Sequence, residues 1–187
     1  MKILLPRKII PVFPTISAPL FFLAGPISGG ADWQKDCTLH LLSKSPDCVV
    51  VCPCHWGESH ELSAYLNAPV IDAENNQIQW ERHYMELAGC NNGHPGCVLF
   101  WLPEESKLNP RKGSKPYAMD TRRELGKWCA YLKLLEVSIV IGGDSNFPGL
   151  FSIRDEFNNA FGGVFPFYES LDSLTAAAVE IASSSNS

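Results

Sequence analysis

Short, near-continuous apolar runs alternate along this chain with longer stretches whose apolar positions recur every three or four residues. The runs fall at 20–24, 48–52, 97–102, 137–141 and 164–167. Runs of this length, apolar on successive residues, are expected of strands covered on both faces. Helical spacing covers 32–43, 77–88, 121–135 and 171–182. In the third of these, Leu125, Trp128, Cys129, Leu132 and Leu135 make one apolar stripe. Strand followed by helix, repeated, predicts an α/β domain built on a parallel sheet. Residues 183–187 are polar and are expected to form a disordered tail.

The amino-terminal segment needs separate treatment, because no charge occurs between Lys8 and Asp32. That span, after a basic start (Lys2, Arg7, Lys8), imitates a signal peptide or a membrane helix. Prolines at 6, 11, 14, 19 and 26 oppose helix formation, since each removes a donor and clashes with the preceding turn. Residues 1–19 therefore read as an extended arm leading into the 20–24 strand, and 20–182 as one domain. No membrane partner is expected.

Composition narrows the classes further. The chain has 187 residues, 45% hydrophobic and 19% charged, with a net charge of −5. This is enough for one sizeable core, and the acidic balance gives no overall footprint for nucleic acid. Seven cysteines, an odd number and without a CxxC pair, predict reduced thiols and a cytoplasmic chain. Cys52, Cys54, His55 and His60 are ligand types in one stretch, but their spacing matches no common zinc pattern. No metal is expected.

Ligands of open α/β sheets sit beyond the carboxyl ends of the strands. Behind the first strand stands Gly25-Pro26-Ile27-Ser28-Gly29-Gly30, whose glycines permit close backbone approach or simply a tight turn. Behind the third stands a long polar loop, 103–119, then Asp120-Thr121-Arg122-Arg123-Glu124-Leu125-Gly126. Behind the fourth stands Gly142-Gly143-Asp144-Ser145-Asn146-Phe147-Pro148-Gly149. All three segments are expected on one rim. Glu124 is placed by the pattern in the first turn of its helix, where the dipole favours an ionised carboxylate. It reads either as a nucleophile for glycosyl transfer or as the acidic half of a Thr121-x-x-Glu124 capping box. Glu81 reads as a solvated helix glutamate or as a partner acid.

Four motifs occur in order: Phe21-Phe22-Leu23-Ala24-Gly25-Pro26-Ile27-Ser28-Gly29; Trp80-Glu81 with Leu87-Ala88; Val98-Leu99-Phe100-Trp101; and Thr121-x-x-Glu124-Leu125-Gly126. In this the chain resembles the nucleoside 2-deoxyribosyltransferase superfamily, in its deoxyribosyltransferase-like branch, from about residue 20 to 149. The resemblance implies a flavodoxin-like or Rossmann-like three-layer sandwich with a five-stranded parallel sheet. It also implies cleavage of the N-glycosidic bond of a 2′-deoxyribonucleoside, with transfer of the sugar to another nucleobase.

By the same resemblance Glu124 would attack C1′ and Glu81 would serve as acid/base. Gly25, Pro26, Ile27, Ser28 and Gly29 would hold the sugar, and Tyr117 or Asp120 would recognise the base. The implied partners are a deoxynucleoside and a free nucleobase. No cofactor is implied, and a homo-oligomer is, with 147–157 a candidate donor to a neighbouring site. The chain departs from the family at Ala118, where base-transferring members often carry Asp. It also departs at Phe21-Phe22, where a tyrosine is common. At Ser28, monophosphate N-glycosidases tend to carry Arg, so a 5′-phosphate is disfavoured unless Arg122 and Arg123 compensate. The alternatives are an N-glycosidase that uses water, or a non-enzymatic nucleotide-binding module.

Overall fold

A computed structural model describes residues 2–9, 18–56, 59–66, 71–72, 76–90, 94–108 and 110–184. In chain order the strands are β1 (Lys2–Leu4), β2 (Lys8–Ile9), β3 (Leu20–Ala24), β4 (Val49–Val51), β5 (Ile71–Asp72), β6 (Gly96–Leu102), β7 (Ile139–Gly143) and β8 (Phe167–Tyr168). The helices are α1 (Trp33–Lys44), α2 (Gln77–Gly89), α3 (Met119–Leu134), α4 (Leu150–Phe161) and α5 (Leu171–Ser184), with a 3₁₀ turn at Ser63–Tyr65. Six strands form one parallel sheet in the order β1-β4-β3-β6-β7-β8. β2 and β5 pair separately and antiparallel. The fold is Rossmann-like.

Every residue of β3 and of β6 is buried, which is what their unbroken apolar runs require. Alternate side chains feed opposite faces. Leu20, Phe22 and Ala24 join Val98, Phe100 and Leu102 against Trp80, Tyr84 and Ala88 of α2 and Leu125 and Trp128 of α3. Phe21 and Leu23 join Cys97, Leu99 and Trp101 against Trp33, Cys37 and Leu41 of α1 and Leu174, Ala178 and Ala182 of α5. Helices thus cover both faces, in three layers. The expected α3 stripe holds at Leu125 and Trp128, which are buried, but runs out to solvent at Leu135.

The sheet differs from the five expected strands by one. β1, inside the segment read as an arm, adds at the edge beside β4. Of the rest of that segment, residues 10–17 lie outside the described residues. α4 is a fifth helix, absent from the expected set. Leu150 and Phe157 anchor it in the core, and left-handed glycines at 149 and 162 bound it. β7 begins two residues later than expected and takes in the glycine pair read as a turn. A side chain at Gly142 would stand 2.4 Å from the Tyr168 carbonyl oxygen, so the strand interior itself demands glycine there. β8 likewise moves to Phe167–Tyr168, and Val164 is left exposed. α5 continues to Ser184, while 185–187 of the expected tail lie outside the described residues. No described helix is long and apolar enough to cross a membrane.

From β3 the chain moves outward to β4 on one side, and β6, β7 and β8 then build outward on the other. The reversal opens a crevice between the carboxyl ends of β3 and β6. Strand order therefore marks this place for a ligand before any side chain is considered.

Candidate functional site

A cleft of about 640 Å³ lies at that crevice, within the range of roughly 300–1,000 Å³ usual for small-molecule sites. One wall is the turn after β3, from Gly25 to Ser28; another is α2, through Gln77, Ile78 and Glu81. The start of α3 supplies Met119, Asp120, Thr121, Arg123 and Glu124, and the loop after β6 supplies Arg111 and Lys115.

The β3 turn is fixed from behind. Trp33 Nε1 donates to the Pro26 carbonyl at 3.0 Å, and Gln34 Nε2 donates to the same oxygen at 3.4 Å. Gly25 has φ +152°, and a Cβ there would stand 2.3 Å from the Trp101 carbonyl oxygen. Only glycine lets β3 and β6 run this close where the turn leaves the sheet.

Glu81 is oriented by its helix. Trp80, one position earlier, is buried against Phe22 and Tyr84, which turns Glu81 towards the cleft wall. Asn76 caps α2 by accepting from the Gln79 amide at 3.0 Å. Gln77 Nε2, one turn before Glu81, donates to Glu81 Oε1 at 2.8 Å. Burial raises the Glu81 carboxyl above its usual range; the Gln77 bond opposes this, and the Asp120 charge reinforces it.

Glu124 stands differently from expectation. α3 starts at Met119, so Glu124 is in its second turn, beyond the region where the dipole acts strongly. The N-cap is Ala118, held in the left-handed region at φ 56°, and no side chain caps the helix. Thr121 is inside the first turn, so the Thr121-x-x-Glu124 capping box does not form. Glu124 is not a cap. Burial raises its carboxyl to about 7; the Glu81 charge adds to the rise, and Arg123 works against it.

Seven of the nine sequence-predicted residues line this cleft: Gly25, Pro26, Ile27, Ser28, Glu81, Asp120 and Glu124. The other two stand behind its wall. Tyr117 is buried, its hydroxyl donates to the Pro103 carbonyl at 2.9 Å, and burial pushes the phenol up to about 12. Gly29 packs on the loop after β6: a Cβ there would be 3.0 Å from the Arg111 amide nitrogen and 3.2 Å from the Tyr117 ring.

Two of the three expected rim segments meet here, and the third does not. Residues 143–146 instead line a neighbouring hollow with Glu104, Arg154 and Glu169. They are tied to the loop after β6 by Asp144, which accepts from the Glu104 amide at 2.7 Å. Arg122 also points away, donating to the Pro148 carbonyl at 2.7 Å and covering the Phe147 ring. The segment 147–157 packs inside its own chain through Phe147, Leu150 and Phe157, with Phe151 left exposed.

Sequence reasoning missed Arg111 and Lys115, and passed over Ile78 and Met119 as wall residues. The only signal for the cations was a cluster of basic residues, Arg111, Lys112 and Lys115, in a loop read merely as polar. Cys52 and Cys54 are buried in the core with Cys37, and among the described residues no group of three metal-ligating side chains is assembled.

In chemical terms the cleft has apolar side chains spread over its walls (Phe22, Ile27, Ile78, Met119), three carboxylates on two neighbouring helices (Glu81, Asp120 and Glu124), and a cationic loop. Burial raises both the Glu81 and the Glu124 carboxyl, and the charge of Glu81 adds to the rise of Glu124, so ionising one opposes ionising the other. That is the equipment for general acid/base or nucleophilic work on a flat, partly polar substrate. No family model matches the chain, and no curated protein matches it either.

Proposed function

We propose that the protein is a nucleoside 2′-deoxyribosyltransferase-like enzyme, cleaving the N-glycosidic bond of a 2′-deoxyribonucleoside through a covalent deoxyribosyl–glutamate intermediate. The observation that carries this reading is the sharing of one switch-point cleft by Glu81 and Glu124. It is supported by the motif resemblance around the same residues.

In the first half-reaction an oxygen of ionised Glu124 attacks C1′ and forms an ester bond. The C1′–N bond breaks, its electron pair stays on the base nitrogen, and Glu81 supplies a proton to the departing base. In the second half-reaction a nitrogen of the incoming base attacks C1′. The ester bond breaks, Glu124 leaves as carboxylate, and Glu81 takes the surplus proton. Two inversions give overall retention. A 2-deoxy sugar lacks the electron-withdrawing 2′-hydroxyl, so its oxocarbenium-like transition state forms readily, and a carboxylate beneath C1′ stabilises it. Ile78 and Met119 suit the faces of a base, and the Gly25–Ser28 turn suits the sugar.

The test is intact-protein mass after brief incubation with a panel of 2′-deoxynucleosides, wild type beside Glu124→Gln and Glu124→Ala. A deoxyribosyl adduct present only on wild type is expected. Adding a second base then separates transfer from hydrolysis: release of free deoxyribose without base exchange sinks the transferase in favour of an N-glycosidase. Binding without base release from any nucleoside, unchanged in Glu124→Ala, would leave a non-enzymatic binding module.

A further inference from the structure

Charged groups surround Glu81 from several elements. Asp120, Arg123 and Glu124 act on it from α3, and His55 from the loop after β4. Arg111 and Lys115 share its cleft from the loop after β6, while Arg82 and Lys127 share with it a groove between α2 and α3. Among the described residues, no cation is within ion-pair distance of the Glu81 carboxyl. Its one hydrogen bond among them comes from a neutral amide: Gln77 Nε2 donates to Oε1 at 2.8 Å.

The helix builds this pair. Asn76 caps α2 through the Gln79 amide, so Gln77 is the first helical residue and Glu81, four residues on, lies on the same face. Both side chains are half-buried, and both line the cleft. An amide N–H can donate to a carboxyl oxygen whether the group is an acid or a carboxylate. A lysine or arginine in that place would favour the carboxylate alone. The neutral donor therefore holds Glu81 in one orientation through both protonation states. Because Oε1 faces a donor hydrogen, the acid proton has its place on Oε2.

We infer that Gln77 is a positioning residue for proton transfer: it anchors Oε1, so that Oε2 is the atom that gives a proton to the departing base and takes one from the incoming base. The bond has a second effect. Burial raises the Glu81 carboxyl, and the Gln77 donor opposes that rise more than the charge of His55 or Arg123 does. Gln77 thus keeps Glu81 able to ionise, as it must be when it takes the proton of the incoming base. The inference rests on the deoxyribosyl-transfer reading for the use of that proton, whereas the link between Gln77 and Glu81 rests on geometry alone.

The experiment compares wild type with Gln77→Met, which keeps the side chain long and removes the donor, and with Gln77→Lys, which makes the donor a cation. Glutamate isotope-labelled at the carboxyl carbon is incorporated, and the Glu81 signal is identified by its loss in Glu81→Gln. Followed by nuclear magnetic resonance without substrate, its titration should move to higher pH in Gln77→Met and to lower pH in Gln77→Lys. With a 2′-deoxynucleoside that wild type turns over, kcat should fall about tenfold or more in Gln77→Met while KM stays within about twofold. The alkaline fall of kcat/KM should follow the Glu81 titration, upward in Gln77→Met and downward in Gln77→Lys. A Glu81 signal unmoved in Gln77→Met overturns the inference even where activity is lost, since the role is then merely structural. A signal that moves to lower pH in Gln77→Met overturns it as well, because the amide would then be accepting the proton of the acid. If no nucleoside is turned over by wild type, the titration still decides: opposite displacements in the two variants keep the link between Gln77 and Glu81 while the deoxyribosyl reading fails.

Discussion

The Glu124 carboxyl is raised to about 7 by burial, and the charge of Glu81, which faces the same cleft from the neighbouring helix, adds to the rise. The relationship sets a condition on the proposed chemistry. Attack on C1′ needs Glu124 ionised, whereas departure of the base is helped by Glu81 protonated. Of the two carboxyls, Glu124 is shifted the further, to about 7. The productive microstate is thus a fraction of the singly protonated pair, as is common where two carboxylates share a site.

The kcat/KM profile should therefore be bell-shaped and fall through about pH 7, where the pair loses its second proton, well above the range of an ordinary glutamate. In Glu81→Gln a single carboxyl is left to titrate and the neighbouring negative charge is gone, so the alkaline fall should vanish and the rate should instead rise with ionisation of Glu124, at a pH below 7. The rate itself should drop by about 10²–10⁴-fold, the usual value of a positioned acid. A pH–rate profile of both proteins checks this. A fall through about pH 7 that persists in Glu81→Gln would show that Glu81 is not the acid.

Glu124→Gln should lower base release by on the order of 10⁴-fold or more, since it removes the atom that bonds to C1′ and not merely a source of charge. Because Glu124 is no helix cap, this loss should come without the roughly 0.5–2 kcal/mol penalty of a removed cap. Urea unfolding of the variant, beside its activity, separates the two accounts.

Gly25→Ala tests the scaffold instead of the chemistry. The new methyl would collide with the Trp101 carbonyl at 2.3 Å and the Trp33 ring at 2.8 Å, in a backbone region that L-residues rarely adopt. A destabilisation of at least about 1–3 kcal/mol is expected from the backbone conformation alone. The β3 turn should shift, weakening ligand binding even at temperatures where the variant is folded. Thermal unfolding and ligand titration of the same preparation would show both effects. Gly126, which has nothing within 4 Å of its Cβ position, is the matched control.

The central sheet was legible in the sequence because β3 and β6 are buried on both faces and leave unbroken apolar runs. α2 and α3 were legible because Trp80, Tyr84, Leu125 and Trp128 repeat at helical spacing. β1 was not, since three residues at a sheet edge leave too short a pattern beside the proline-rich segment. α4 was hidden because its apolar residues include the exposed Phe151 and Phe161, which blur the stripe made by Leu150 and Phe157. In the site, Glu81 and Glu124 could be found by motif. Arg111 and Lys115 could not, because a loop has no period, and only its attachment to Gly29 brings those charges into the cleft. The same limit explains Tyr117: its ring and hydroxyl are spent on wall packing, which no spacing rule reveals.

The buried Glu124 also leaves a mark on stability that does not depend on any substrate. Its folded pKa, about 7, exceeds the reference value of 4.5, so between these values the native state holds more of its proton than the unfolded chain does. Unfolding therefore releases protons in that window, and this group's contribution to stability declines as pH rises through it. The contribution is fully present below about pH 4.5 and is lost above about pH 7. A shift of this size corresponds to about 3 kcal/mol between the two limits. Glu124→Gln keeps a neutral side chain at every pH, so the variant should gain up to about 3 kcal/mol over wild type at pH 8 and almost nothing at pH 4.5. Urea midpoints measured at both pH values test it. An equal difference at both would show that the wild-type carboxylate is not held against a desolvation cost. A gain confined to high pH would mark Glu124 as a group kept at the expense of stability, as expected of a residue retained for chemistry.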